Sequence, residues 1–275
     1  MIWTEESAGW LARAYRHGTA AQTLCNWIAP GLQPGARVCD VGCGVGALSL
    51  ALARRGFCVT ALDISETALA QLRTEKEDAG IDVRCEDAKT HTPQAPYDAM
   101  IFCFFSGMEE CLRIAARCCA GDVFYISRDY DLHRFSVGLH PVRYSGYRQA
   151  RDLLDRLGVP YDCRECELDM GQPFESMEEA RRFFALYSRD DPALITDDFL
   201  MSRLMQTQDA QYPLYLPHMR RAGMVHVHVK DIPQGIFKDF GLEETLNEEM
   251  VCWTACAAAC AASACYGAGN ARVCG

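Results

Sequence analysis

Apolar residues in the first half of the chain switch repeatedly between helical and strand spacing. Trp10, Leu11, Ala14 and Tyr15, then Leu24, Trp27 and Ile28, predict two short helices within residues 5–29, separated near Gly18. A turn at Gly31 to Gly35 leads into a short apolar strand at 37–41, and a helix at 47–55 stops at Gly56. The next strand, 58–62, ends at Asp63, and Ser65 can cap a helix over 66–79. Strands at 81–85, 98–104 and 122–127 follow, with a helix at 109–118 between the last two. Short links between alternating strands and helices predict an open, mostly parallel sheet covered by helices on both faces. Further on, the spacing predicts a helix at 147–157, a strand at 161–170, helices at 175–188 and 197–207, and a loop at 211–217, which holds two prolines. The run MVHVHVK at 224–230 alternates cleanly and reads as the last strand. Residues 171–222 then form an insertion between the two final strands, placed to cover a site.

Composition narrows the reading. Of 275 residues, 49% are hydrophobic and 23% charged, enough for a packed core. A formal charge of -10 disfavours a broad nucleic-acid surface. No run of about 18 apolar residues suggests a membrane span, and the first ten residues do not resemble a secretory signal, so a cytoplasmic protein is expected. Sixteen cysteines are many for this length. The eleven before Asp169 read as reduced core filler; the other five crowd the last 25 residues. Composition changes after Pro233. We therefore expect one domain over 1–232 and a flexible tail over 233–275, first acidic and then rich in cysteine.

The strongest chemical signal is VCDVGCGVG at 38–46, a glycine triplet that follows a predicted strand and opens a helix. Gly42, Gly44 and Gly46 let a ligand approach the backbone, and the helix N-terminus faces it. Asp63 ends the second strand, where a carboxylate can accept hydrogen bonds from two ribose hydroxyls. Glu86 and Asp87 end the third. Asp40, just before the glycines, would repel a diphosphate.

With ALDIS at 61–65, CEDA at 85–88 and YDAMIFCFF at 97–105, this segment resembles the class I, Rossmann-like, S-adenosylmethionine-dependent methyltransferases of small molecules, related to those of quinone biosynthesis. The resemblance is firm over residues 10–170 and looser at 224–230. It implies a three-layer α/β sandwich with a seven-stranded, mostly parallel sheet and an antiparallel last strand, plus the helical insertion. It also implies that Asp40 lies near the methionine amino group, Asp63 with Ile64 at the ribose, Asp87 at the adenine amine with Ala88 beside it, and Cys103 at the methyl-transfer end. Either Glu86 or Asp87 could face the base.

The acceptor is less legible. Candidate bases are His17, His133, His140, His218, Tyr15, Tyr130 and Asp129. His133 is preferred, because RDYDLHR at 128–134 follows the carboxyl end of the fifth strand. Tyr15 is expected to close over the cofactor from the N-terminal helix. His226 and His228 share a strand face, but spacing places no third ligand, so no metal is expected. Aromatic residues and methionines of the insertion suggest an apolar acceptor pocket or lid. Arg181, Arg182, Arg203, Arg220 and Arg221 could recognise a carboxylate, with surface solvation as the alternative. Three functions stay open: methylation of a small molecule, methylation of a peptide or of the protein's own cysteine-rich tail, and non-catalytic binding of S-adenosylmethionine. No nucleic-acid or membrane partner is expected, and the residues do not choose between monomer and homodimer.

Overall fold

A computed structural model describes residues 3–75, 79–142 and 146–233. The chain divides into two units, Met1–Ile232 and Pro233–Gly275. Apart from Pro233, the second unit lies outside the described residues, and so do the expectations for the tail.

Two helices begin the chain, α1 (Glu5–His17) and α2 (Ala20–Ile28). Thr4 and Ser7 form a reciprocal capping box that starts α1. Strands β1 (Arg37–Val41), β2 (Cys58–Asp63), β3 (Asp82–Cys85), β4 (Tyr97–Cys103) and β5 (Cys119–Arg128) alternate with helices α3 (Ala47–Arg54), α4 (Glu66–Glu75) and α5 (Met108–Cys118). Helix α6 (Gly146–Leu157) and strand β6 (Asp162–Asp169) follow. The insertion contains β7 (Gln172–Phe174), α7 (Met177–Tyr187), α8 (Asp197–Arg203), β8 (Met205–Gln206) and β9 (Leu214–Leu216), and β10 (Met219–His228) returns to the main sheet.

The main sheet has seven strands in the order β3-β2-β1-β4-β5-β10-β6. The first five run parallel, and β10 lies antiparallel to both β5 and β6. Central strands are buried on both faces, so β1 and β4 read as nearly continuous apolar runs. The edge strands carry charge instead: Asp82 and Arg84 on β3, Arg164, Glu165 and Glu167 on β6. Strand order reverses at β1. Its neighbours β2 and β4 carry the chain away in opposite directions, and a crevice opens beyond their carboxyl ends.

The insertion is not purely helical. Its strands β7, β9 and β8 form a second, three-stranded antiparallel sheet. The expected loop at 211–217 holds β9, because Leu214 and Leu216 point into the insertion's own apolar cluster. The helix expected to reach 207 ends at Arg203, and β10 begins at Met219, five residues before the alternating run that announced it. Pairing across to β5 and β6 extends that strand through residues whose own pattern is not apolar.

One cluster ties the insertion to the N-terminal helix. Trp10 packs edge-on against Phe183 at 5.4 Å, among Phe174, Phe184, Leu200 and Leu216. Buried Glu179 on α7 accepts hydrogen bonds from Trp10 Nε1 at 2.9 Å and Arg13 at 2.8 Å, and its other oxygen accepts from the Glu175 amide at 2.6 Å. Among the described residues, no helix is long and apolar enough to cross a membrane. Truncating Glu179 leaves a buried indole N–H without its acceptor and removes the shortest of the contacts that hold the largely buried Arg13 guanidinium. Glu179→Ala should therefore lower unfolding free energy by about 3 kcal/mol, read as a shifted urea midpoint. Glu179→Gln, which keeps an acceptor oxygen, should lose less.

Candidate active site

The crevice at the strand-order reversal opens into a cavity of about 1040 Å³. Ligand pockets generally measure roughly 300–1,000 Å³, so there is room for two small molecules side by side. Its floor comes from the ends of β1, β2, β3 and β4. Its roof comes from α1, the loop after β5, and the insertion.

The glycine loop is drawn down onto the end of β2. The amides of Gly42 and Cys43 both donate to the Leu62 carbonyl, at 2.7 and 3.0 Å. Gly44, at φ 54°, donates its amide to Asp63 Oδ2 at 2.8 Å, and Ser65 donates to Asp63 Oδ1 at 2.8 Å. Asp63 thus joins the loop to the start of α4 and lines the cavity with acceptor capacity remaining on both oxygens. Gly42 and Gly44 line the cavity; Gly46 does not. Gly46 caps α3 at φ 74°, and a Cβ there would lie 2.5 Å from Leu72 Cδ1, so its role is packing against α4.

Asp40 is 1% exposed. Ser49 Oγ donates to its Oδ2 at 2.6 Å, whereas Oδ1 is buried without a partner. Burial pushes its carboxyl up to about 6, against the pull of the Ser49 hydrogen bond. An orphaned carboxylate oxygen at the cavity wall wants a cationic donor. The sequence singled out Asp40 but not its partner Ser49, which lies nine residues on, on α3.

Glu86 is committed to the buried His91 ring, with Oε2 2.8 Å from Nδ1. Asp87 accepts from the Lys89 amide at 2.9 Å and stands at the cavity edge with Ala88 and exposed Ile64. Cys103 and Tyr15 also line the cavity. Burial pushes the Cys103 thiol far up, with nearby Asp40 adding to it, so it stays protonated. Burial raises the Tyr15 hydroxyl as well.

The candidate bases separate. Asp129, 3% exposed, is held by Arg148 at 2.7 Å and Arg221 at 3.2 Å and does not line the cavity. His140 lies 2.5 Å from Asp190, and His17 packs edge-on against Tyr212 at 5.2 Å; both are outside the cavity. His133, His218 and Tyr130 line it. His133 Nδ1 lies 2.8 Å from Ser136 Oγ, and burial, then Arg189, lowers its proton affinity, so it is neutral near pH 7. At the opposite end of the sheet, His226 and His228 both contact Asp122 Oδ1, at 2.8 and 2.6 Å, and His226 stacks on Phe124. The third polar partner that spacing could not supply comes from β5.

Sequence spacing singled out neither Trp3 nor Phe135, and reached Phe105 only as part of YDAMIFCFF. Trp3 lies over Gly44, Phe105 packs against Gly42, and Phe135 meets Phe183 at 5.3 Å in the roof. Each sits in an irregular segment, where no period marks a face.

Residues 38–120 match the profile of a family described as a methyltransferase domain. That stretch runs from β1 to the start of β5 and includes the glycine loop and the ends of β1–β4. Over 59 residues, 21% of this chain and 25% of the relative, it is 46% identical to a ubiquinone biosynthesis O-methyltransferase of Azotobacter vinelandii. Over 114 residues, 38% of this chain and 49% of the relative, it is 31% identical to the protein of that name from Coxiella burnetii. These alignments span at most about half of those relatives' own lengths. A crystal structure of magnesium protoporphyrin IX methyltransferase from Synechocystis PCC 6803 aligns with a TM-score of 0.45 and 16% identity, over 80% of this chain and 85% of that one. The orphaned Asp40 oxygen, the open acceptors of Asp63 and the glycine loop have the chemistry to hold an ammonium group and a ribose.

Asp40 makes a pH prediction. Its folded value of about 6 exceeds the ordinary 3.8. Its contribution to stability is full below the unfolded value and lost as pH rises through about 6, by roughly 3 kcal/mol for two units. Relative to Asp40→Asn, the ligand-free protein should lose stability in urea between about pH 4 and about pH 6.5, and little beyond.

Proposed function

We propose that the protein transfers a methyl group from S-adenosylmethionine to a small-molecule acceptor held between the crevice and the 171–222 insertion. The observation that carries this reading is a single cavity with two unlike ends. One end presents Asp40, Asp63 and the glycine loop; the other presents Phe135, Phe183 and Tyr187.

The donor, when bound, supplies a methyl group already activated on a sulfonium. The chain's task is alignment and exclusion of water. Asp40 accepts from the donor's ammonium, which favours its charged form. Asp63 accepts from both ribose hydroxyls while its other lone pairs hold the Gly44 and Ser65 amides. Ile64 and Ala88 pack against the adenine, and Asp87 takes its amino group, since Glu86 is bound to His91. Cys103 and Phe104 border the methyl group, and Tyr15 closes over it from α1. His133, neutral and anchored by Ser136, takes the proton from an oxygen or carbon nucleophile. The covering insertion and the net charge of -10 favour a small acceptor over a nucleic acid. A reducing cytoplasm suits Cys25, Cys39, Cys111, Cys118 and Cys119, which are buried free thiols. Methylation of the protein's own tail concerns residues outside the described ones and stays an alternative.

Calorimetry with S-adenosylhomocysteine should show saturable binding. Asp63→Ala should weaken it by about 1–3 kcal/mol, the scale of lost charge-assisted hydrogen bonds. Affinity unchanged in that variant, or no binding at all, overturns the reading. His133→Ala should slow turnover by roughly 100-fold with product affinity intact; a small loss would point to a thiolate acceptor, which needs no base.

A further inference from the structure

Charge is divided across the cavity. Its acidic lining residues, Asp40, Asp63, Glu86, Asp87 and Glu110, all belong to the β1–β4 ends and α5. The loop after β5 and the start of β10 contribute no carboxylate to the lining and instead supply Arg134 and Arg220, with His218 just before β10, while the remaining lining cation, Lys89, pairs with Glu110 at 2.7 Å. Arg134 donates to the Met219 carbonyl, and Arg203 behind it donates to the Arg134 carbonyl at 2.6 Å. The other arginines that could serve as carboxylate ligands are engaged at the surface: Arg181 with Asp197, Arg182 with Glu6 at 2.8 Å, and Arg221 with Asp129.

Arg220 differs. It pairs with no carboxylate among the described residues, and its Nε is buried without a hydrogen-bond partner. Its guanidinium lies 3.7 Å from the centre of the Phe104 ring. Phe104 has φ 54°, a strained conformation for an aromatic residue. Its amide is held by the Ile126 carbonyl at 2.9 Å. A guanidinium held over a ring face by this contact still has N–H donors to offer a planar anion. The uncompensated positive field has a second witness. His218, packed against Phe135 at 5.0 Å, is pushed down to about 3, first by burial and then by Arg220, Arg134 and Arg203.

We propose that Arg220 anchors a carboxylate on the acceptor, so that the molecule methylated is an aromatic or apolar acid. Resting on the methyl-transfer reading, this deepens it to a substrate class. Phe135, Phe183 and Tyr187 take the apolar body, Arg220 takes the acid group in two parallel hydrogen bonds, and the reacting atom is turned toward Cys103 and Phe104.

The test uses the full-length protein saturated with S-adenosylhomocysteine, titrated with benzoate, phenylacetate and 3-phenylpropanoate and with the neutral amide of each. At least one acid should bind about tenfold or more tightly than its amide. Arg220→Met should erase that preference, Arg220→Lys should restore part of it, and affinity for S-adenosylhomocysteine should stay within about twofold in both. Equal binding of acids and amides, or no acid binding at millimolar concentration, overturns the proposal. So does a Met variant that keeps the acid preference but loses product affinity, which would assign Arg220 to the donor's own carboxylate. Binding of S-adenosylhomocysteine is read separately from the acid preference, so failure of the clamp and failure of the methyl-transfer reading are told apart.

Discussion

Parallel pairing of β1 with β2 on one side and β4 on the other is the constraint from which the site follows. A parallel strand buried on both faces must send its chain out at the carboxyl end, and at β1 the two neighbouring connections depart in opposite directions. The gap between them cannot be filled by either connection. The glycine loop is pinned to one wall of this gap by the Leu62 carbonyl and by Asp63. Asp40, the fourth residue of β1, is then buried where the sheet stops. Its unsatisfied oxygen is a cost of the ligand-free fold that a cationic ligand removes.

Helix α1 is the second organising element, because it belongs to both halves of the cavity. Leu11, Ala14 and Tyr15 look into the cavity, while Trp10 and Arg13 run into the insertion. Glu179 gathers Trp10, Arg13 and the Glu175 amide around one carboxylate. A roof attached this way is positioned by the same helix that bounds the donor end. Spacing between the two ends is therefore set by packing and not by the length of a loop.

Burial also governs the side-chain chemistry. It raises Cys39, Cys43, Cys103 and Cys111 away from the thiolate form, so the abundant thiols pack and do not act as nucleophiles. It lowers His133 and His218, which keeps both imidazoles neutral. In the same cavity, carboxylates collect at one end and guanidiniums at the other, an arrangement that suits a ligand pair of opposite local charge.

By itself the sequence determined the elements whose period is unambiguous and the loop whose residue types leave few alternatives. The strands at 37–41 and 58–63, the helix between them, and the placement of Asp40, Gly42, Gly44 and Asp63 along one cavity were legible because local pattern and local residue type coincide there. Gly46 shows the limit. It fits the same motif, yet Leu72 of α4 packs against it and it does not line the cavity, which no local pattern records. The engagement of Glu86 by His91, and the extension of β10 to Met219 along partners in β5 and β6, join residues that no local pattern connects. Arg220 stood among five arginines that spacing treats alike. Tertiary structure gave four of them partners or stacking surfaces outside the cavity and left one buried Nε facing none. Whether a charged side chain is paired depends on residues distant in the chain, and no local period records that.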